Sequence, residues 1–348
     1  MTSPPIDCKM ATAKAQLAQP EEQVSTSFSP RLFPRPQYPS AGGVLARAVF
    51  VHLRDAVLGI LLVAMLAAPF QLVREAWPYG ERWFYSFTIN TTHTVVFAIF
   101  NGGILLFAPL LARYKMSRRE AEVPSPTLVR QLVTDALVNH FVTSPVIGWL
   151  LFPIAVWLGT PPAASALPSM SQQFLLFCAA HSFNDWLFYW SHRLFHHKSL
   201  YKTFHKQHHA FRGSVGAAAE FAHPVEVVVA NQIPTVGFLL GVGAHPLVQA
   251  AWLTLRLTQT YEVHSGYDFT DSWLCKVGML SGGCSFHDHH HTANMGNFGA
   301  EHMDWLFGTM DHYCRAGSEE GYRRDRGTLL DEPEAAAAAA AGKKAKAG

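Results

Sequence analysis

The sequence is short of charge: Asp, Glu, Lys and Arg make up 15% of its 348 residues, against roughly 25% in an average soluble protein. Its formal net charge of +2 is too small to predict binding to nucleic acid. The five cysteines form no C-x-x-C pair, so we interpret them as ordinary thiols rather than a disulfide framework. No G-x-G-x-x-G motif is present, which predicts that nicotinamide does not bind to this chain.

The sequence contains several long apolar runs. Hydrophobic residues make up 49% of the chain, and several mainly apolar runs are long enough to cross a bilayer as helices. These runs are 56–73, 94–112, 136–159, 174–190 and 227–255. The last run is broken by glycines and a proline near its middle, which predicts two spans or a re-entrant pair. The expected fold is therefore an all-α integral membrane protein with several transmembrane helices.

The two ends of the chain differ in composition from this apolar middle. Residues 1–44 are rich in Pro, Ser, Gln and Ala, which predicts a disordered tail and no cleavable signal peptide. Residues 317–348 are a low-complexity basic tail, and between the tails we expect one membrane-embedded domain, 45–316. Lys344 and Lys346 fit the K-x-K-x-x form of an endoplasmic reticulum retrieval signal, a receptor-read address. A plain basic tail fits them equally well.

Histidine is the residue that stands out. Sixteen of the nineteen histidines lie between His181 and His312. They include an H-x-x-x-H box and two H-x-x-H-H boxes, formed by His192, His196, His205, His208, His209, His287, His290 and His291. Residues three and four apart share one face of a helix, and neutral imidazole is the commonest protein ligand of transition metals. Eight such ligands are too many for one tetrahedral ion and indicate two metal ions.

The predicted spans place these boxes on one side of the membrane. The basic cluster at 113–119 follows the second run and is expected to be cytosolic. Two further crossings return the chain to that side at His192, and the paired spans of 227–255 return it again before His287. We therefore expect a histidine-rich helical cap on the cytosolic face that holds a dimetal site, with both termini cytosolic.

Five sequence blocks carry a resemblance to a known family. They are F-Y-W-S-H-R-L-F-H-H (188–197), Y-K-T-F-H-K-Q-H-H (201–209), A-E-F-A-H-P-V-E (219–226), V-H-S-G-Y-D-F (263–269) and H-D-H-H-H (287–291). In order and spacing they resemble the fatty acid hydroxylase superfamily, and within it the C-4 methylsterol oxidases most closely. The resemblance covers about 170–313, with the catalytic boxes in 185–313. It implies that all eight box histidines are ligands and adds His223 and His264 as further ligands.

Carboxylates beside such ligands are expected to hold the imidazole rings in one tautomer. Asp185 lies two helical turns before His192, and Glu220 and Glu262 lie close to His223 and His264 in the sequence. We predict this ring-holding role for Asp185, Glu220 and Glu262.

Three other histidines are not expected to bind metal. His289 takes a position where the resembled family has an aromatic residue. If its box is a helix, His289 lies roughly 200° around that helix from the first ligand of the box and points away from the metals. His197 and His302 are predicted to be surface residues.

The chemistry of a lipid explains why such a centre is needed. An unactivated C–H bond yields only to a strong oxidant made from dioxygen by a redox-active metal with electrons from outside. Zinc cannot perform this step. The resemblance implies stepwise oxidation of a sterol C-4 methyl group by a non-haem centre of two iron ions, using dioxygen. It also implies electrons from NAD(P)H, delivered by a reductase and cytochrome b5, and a multi-pass protein of the endoplasmic reticulum membrane.

Three alternatives stay open at this point. Another lipid oxidase of the same superfamily, such as a sterol C-5 desaturase or a fatty acid or alkyl hydroxylase, fits the same box spacing. A metal or proton transporter would place its polar groups at the middle of the bilayer, whereas the boxes lie outside the predicted spans. A catalytically inactive lipid-binding relative is expected to lose ligands, and all eight box histidines are present.

Overall fold

In the computed structural model the described residues are 39–116, 122–212, 215–319 and 321–322, and they form α-helices without a β-strand. The helices are α1 (Ala41–Ala76), α2 (Glu81–Leu106), α3 (Ala108–Leu111), α4 (Pro126–Val138), α5 (Ser144–Trp157), α6 (Met170–Phe195), α7 (Lys198–Leu200), α8 (Pro224–Glu226), α9 (Ile233–Gly241), α10 (Pro246–Val263), α11 (Trp273–Lys276), α12 (Cys284–Ala293), α13 (Glu301–Phe307) and α14 (Asp311–Arg315). The predicted all-helical fold is confirmed. Residues 1–38 of the predicted first tail, and Lys344 and Lys346 with most of the second, lie outside the described residues.

The long helices begin where side chains cap them. Ser40 accepts a hydrogen bond from the backbone amide of Gly43 and starts α1 at Ala41, four residues before the predicted end of the first tail. Ser169 and Gln172 form a capping box that starts α6, because each side chain satisfies a backbone amide that has no partner within the helix.

Among the described residues, four helical stretches are long and apolar enough to cross a membrane. They are Ala41–Ala76, Glu81–Leu106, Pro126–Trp157 and Pro224–Gly241. The predicted runs 56–73 and 136–159 fall on the first and third of these. The second begins and ends earlier than the predicted run 94–112. It ends at Leu106 because a proline stands two residues after Phe107, and proline interrupts a helix.

Two predicted spans are not among these four stretches. Run 174–190 lies within α6, a long helix whose interior buries the polar side chains of His181, Asn184 and Asp185. The second half of run 227–255 lies in α10, which carries Arg256 and Glu262. The charged and polar residues lower the mean hydropathy of both helices. These residues are tolerated because their side chains face the interior of the bundle.

The core of the bundle lies where α10 packs between α1, α2 and α9, and α6 packs against α1 and α9. Its buried apolar residues include Val63, Phe177, Leu239, Val248 and Trp252. At one end of the bundle, α12 contacts α10 and α13 contacts both α1 and α6. These short helices form a cap that carries the third histidine box.

Candidate metal centre

Nine histidines from five segments converge in the cap. His192 lies on the last turn of α6, and His196 ends that helix. His205 closes the π-helix Tyr201–His205, while His208 and His209 lie in the 3-10 turn His208–Ala210. His264 ends α10, and α12 presents His287, His290 and His291. The structure thus brings together all eight box histidines and His264.

The first group contains five of these histidines, and its ligand atoms lie within 4.8 Å of one another: His192, His196, His205, His209 and His290. His205 is at its centre. The Nε2 atom of His205 lies 3.1 Å from that of His192, 2.9 Å from that of His196 and 3.0 Å from that of His209.

The second group contains the other four: His208, His264, His287 and His291. The Nε2 atom of His287 lies 2.8 Å from that of His264 and 3.1 Å from that of His291. The two groups adjoin, because the rings of His209 and His291 stack with centroids 4.6 Å apart. Boxes two and three are each divided between the groups.

Backbone carbonyls fix which nitrogen of the key rings carries the proton. His192 Nδ1 donates to the carbonyl of Phe298 at 2.6 Å, His290 Nδ1 to that of Gly296 at 2.6 Å, and His264 Nδ1 to that of Thr260 at 2.7 Å. The opposite nitrogen, Nε2, then presents its lone pair to the centre of the group. Lone pairs that face each other at about hydrogen-bond distance repel unless a cation lies between them, so the donor set fits metal ions.

Burial keeps these imidazoles neutral. Burial lowers the pKa of His192 and of His264 to about 4. Burial also holds the pKa of His208, His287 and His290 well below the usual value for histidine. Neutral imidazole is the form that binds metal, so the rings do not have to lose protons at neutral pH before they coordinate.

Glu226 is the carboxylate that touches a ligand ring. Its Oε1 atom lies 2.8 Å from Nδ1 of His205, and both side chains are buried. Such a contact fixes the tautomer and raises the basicity of the ligand. Glu226 was not among the carboxylates predicted from spacing. Its position at the end of the A-H-P-V-E block, three residues after His223, was the sequence signal that could have found it.

The three carboxylates that we predicted for this role contact other groups. Asp185 lies beside His181 on the inner part of α6. Glu220 accepts hydrogen bonds from His93 and Asn139. Glu262 accepts hydrogen bonds from the backbone amides of residues 281 and 282. These three carboxylates lie near predicted ligands in the sequence, but their side chains contact other groups in the structure.

Asp304 supports the centre from a greater distance. It is fully buried and accepts hydrogen bonds from the amides of Phe298 and Gly299, both at 2.8 Å, and from the Thr309 hydroxyl at 2.6 Å. Burial raises the pKa of Asp304 to about 6 despite these donors. The carboxyl group holds the loop whose Phe298 carbonyl accepts from His192, so it positions a ligand through the backbone.

The remaining predicted histidines lie outside both groups. His223 caps α8, with its Nδ1 accepting from the amide of Val225, and it belongs to neither group. His289 is buried against His312, with nitrogen atoms 2.8 Å apart, on the side of α12 away from both groups. His197 is exposed, and His302 is partly buried near Asp185.

A cavity of about 990 Å³ opens onto the histidines. Its walls include His192, His208, His264 and His287 together with apolar side chains of α1, α5, α9 and α10, such as Leu151 and Leu253. A volume of this size matches the upper end of pockets that enclose small organic molecules. The centre is therefore reached from an elongated space inside the bundle.

Comparison with known proteins places the chain in a family. The fatty acid hydroxylase family model matches residues 177–309. The chain is 32% identical over 222 residues to methylsterol monooxygenase 2-2 of Arabidopsis thaliana, covering 62% of this chain and 77% of the relative. It is 30% identical over 255 residues to methylsterol monooxygenase 1 of Rattus norvegicus, covering 69% and 84%.

A relative with another name is similar to the same degree. The very-long-chain aldehyde decarbonylase GL1-11 of Oryza sativa subsp. japonica is 32% identical over 242 residues, covering 66% of this chain and 86% of the relative. No solved structure matches the chain. These similarities and the four apolar helices support a membrane-bound oxidoreductase that acts on lipid. The chain belongs to the fatty acid hydroxylase family, as its histidine blocks predicted.

Proposed function

We propose that this protein is a non-haem di-iron monooxygenase that oxidises the C-4 methyl group of a sterol. The observation that supports this most is the pair of adjoining histidine groups at the wall of a large, mainly apolar cavity. His192, His196, His205, His209 and His290 would hold one ion, and His208, His264, His287 and His291 the other. Two iron ions in these groups would supply the redox chemistry with dioxygen that breaking a methyl C–H bond requires.

The reaction balances with electrons from outside the chain. Each oxidation consumes one dioxygen, two electrons and two protons. In the first and third steps one oxygen atom enters the product and the other leaves as water, whereas the step from alcohol to aldehyde releases two molecules of water and adds no oxygen. Three such steps convert the methyl group to alcohol, aldehyde and carboxylate. Because the sequence has no G-x-G-x-x-G motif, we propose that NAD(P)H delivers the electrons through a reductase and cytochrome b5.

The residues of the chain bind the lipid, hold the ligands and exclude water. Apolar side chains along the cavity would bury the hydrocarbon body of the substrate. A membrane lipid would enter this cavity from the bilayer. Phe298, Gly296 and Thr260 hold ligand rings by their carbonyls, and Glu226 holds His205. Rigid ligands are important because a centre that performs chemistry must keep its geometry while the substrate is bound.

We further propose a place and orientation in the cell. The cap that carries the histidines would face the cytosol, where soluble electron donors reach it, and both termini would lie on the same side. The membrane would be that of the endoplasmic reticulum, with Lys344 and Lys346 as a retrieval signal. The basic cluster at 113–119 supports this orientation by the positive-inside rule.

Substrate feeding tests the proposal against its alternatives. Microsomes that contain the protein are given four candidate substrates: a 4-methylsterol, a sterol with a saturated bond between C-5 and C-6, a long-chain fatty acid and a long-chain aldehyde. The products are identified by mass spectrometry. Oxidation of the 4-methyl group by wild type but not by His290→Ala supports the proposal. Conversion of the aldehyde to a shorter hydrocarbon would instead favour decarbonylation, which the similarity to the rice protein brings into consideration.

A further inference from the structure

A separate group of metal-binding side chains lies deeper in the bundle, away from the nine histidines. It consists of His52 on α1 and of His181 and Asp185, one turn apart on α6. The accessible fractions of His181 and Asp185 are 3% and 5%. Asp185 precedes His192 by seven residues on the same helix, so the group lies about 10 Å along α6 from the candidate metal centre.

Histidine nitrogens converge on one carboxylate oxygen at distances longer than hydrogen bonds. Oδ2 of Asp185 lies 3.4 Å from Nε2 of His181, 3.9 Å from Nε2 of His52 and 3.7 Å from Nε2 of His302. Direct hydrogen bonds between such atoms are about 2.7–3.2 Å long. Ligand atoms of a tetrahedral zinc ion with bonds of about 2.0–2.1 Å lie about 3.3–3.4 Å apart. The His181 distance of 3.4 Å matches this ligand spacing, and the His302 and His52 distances of 3.7 and 3.9 Å are longer than either range.

The outer nitrogens of the two principal rings face acceptor oxygens. His52 Nδ1 donates to the carbonyl of Ala48 at 2.8 Å, and His181 Nδ1 lies 3.0 Å from Oδ2 of Asp55. Each Nε2 is thereby left with its lone pair toward Asp185. A carboxylate behind a histidine is the usual support of a metal-binding imidazole, and Asp55 is itself fully buried.

An unpartnered atom points into the same space. Oδ2 of Asp185 is buried and has no hydrogen-bond partner among the described residues. A buried carboxylate oxygen without a partner is costly, and in proteins such atoms are paired or coordinate a metal. This observation is independent of the convergence of the rings and indicates a missing positive group.

Charged groups around the site offer one competing explanation. Arg54 forms an ion pair with Asp55 at 2.7 Å, and Arg256 is the other buried cation near Asp185. A proton on His181 would also supply positive charge to both carboxylates. That arrangement needs no ion, but an imidazolium would shorten its contact with Asp185 to a normal hydrogen bond, and the 3.4 Å separation is longer than that.

We propose that His52, His181 and Asp185 form a third metal site, suited to a divalent cation of the zinc class, with its fourth position toward His302. Two nitrogens and one carboxylate oxygen are a ligand set that zinc accepts. The ion would join α1 to α6 next to the cavity, since His181 and Asp185 also line the cavity wall. This site is independent of the metal and the reaction proposed for the nine histidines.

Metal counting on the full-length protein tests the site. The purified protein in detergent is loaded with Zn²⁺, dialysed against metal-free buffer and analysed by mass spectrometry for zinc per chain. We expect His52→Ala and Asp185→Asn each to bind one zinc fewer than wild type, and the double variant to lose the same single equivalent. His197→Ala, a change of an exposed histidine, serves as the control and keeps the wild-type content.

The comparison is a difference, so it does not depend on how many ions the nine histidines hold. Equal zinc content in wild type, His52→Ala and Asp185→Asn would overturn the proposal and leave an ion-pair network as the explanation of these contacts. A loss of two equivalents in the double variant would also overturn it, because the residues would then not share one ion. Gel filtration identifies a variant that fails to fold, and the isosteric Asp185→Asn then decides the outcome.

Discussion

Glu226 and Glu220 provide a direct contrast between contact in space and closeness in sequence. Both carboxylates belong to the block A-E-F-A-H-P-V-E, six residues apart, and both are substantially buried. Glu226 touches Nδ1 of His205 at 2.8 Å, whereas Glu220 is held by His93 and Asn139. Only the first is placed to set the tautomer of a ligand.

The expected effect of Glu226→Gln follows from this contact. A glutamine keeps one acceptor oxygen but no charge, so His205 becomes a weaker and less firmly oriented ligand. Loss of such a supporting partner lowers metal affinity about 10–100-fold, which corresponds to about 1.4–2.7 kcal/mol. Glu226→Ala should lose more, because it removes the contact with Nδ1 of His205 altogether.

Chelator competition on the purified protein measures these affinities. Metal-loaded wild type, Glu226→Gln, Glu226→Ala and Glu220→Gln are titrated with a chelator, and the midpoints of metal loss are compared. We expect Glu220→Gln to keep the wild-type midpoint while its thermal stability falls, since it loses a buried hydrogen-bonded charge. If Glu220→Gln lost affinity as Glu226→Gln does, or if Glu226→Gln kept it, the assignment of the ring-holding carboxylate would be refuted.

Three further predictions concern the box on α12, the loop beside it and the orientation of the chain. His290→Phe should lose metal and activity while His289→Phe keeps the metal and most of the activity, as metal analysis of both variants will show; equal losses would contradict the helical geometry of the box. Gly296→Ala should lower the free energy of unfolding by at least about 1–2 kcal/mol, because Gly296 has a left-handed φ of +64°. A clash adds to this loss, since the new Cβ would overlap the Thr309 carbonyl oxygen. Thermal unfolding measures the loss, and an unchanged midpoint would show that the loop conformation is not required. Protease added to sealed microsomes should remove a tag placed after the carboxyl terminus, and a protected tag would reverse the proposed orientation.

The sequence located the histidines of the centre because ligand chemistry is concentrated in few residue types. Histidines at spacings of three and four share one face of a helix, and the structure gathers all eight box residues with His264. The division into groups was not predictable in the same way. His208 and His209 are neighbours in sequence but belong to different groups, because consecutive residues of a 3-10 turn point about 120° apart.

The carboxylates show where spacing arguments stop. Asp185 does lie two turns before His192 on one helix, but its surroundings are set by α1, which brings His52 and Asp55 beside it. Glu226 comes from a different segment from His205, and nothing in their spacing of twenty-one residues fixes that contact. Which carboxylate meets which ring depends on helix packing, and a single sequence contains that information only indirectly.

The predicted spans were most accurate where the apolar run faces outward. Stretches such as Ala41–Ala76 and Pro126–Trp157 expose large apolar side chains and are long enough to cross a bilayer. Helices α6 and α10 look similar in the sequence over part of their length, yet they direct polar groups into the bundle. A helix surrounded by other helices does not need a uniformly apolar surface, because its polar residues are paired inside the protein.

Irregular helices are what make a centre of nine histidines feasible. A regular α-helix presents residues three and four apart on one face, as α12 does with His287, His290 and His291. The π-helix Tyr201–His205 and the 3-10 turn after it change the direction of the chain within one short segment, which brings three histidines of that segment to the candidate metal centre. The irregular backbone is stabilised by burial of the histidine rings and by the carbonyls of Gly296 and Phe298, in the loop before α13, which accept hydrogen bonds from two of these rings. The same principle explains why the ligand boxes lie at helix ends, where the backbone is free to turn.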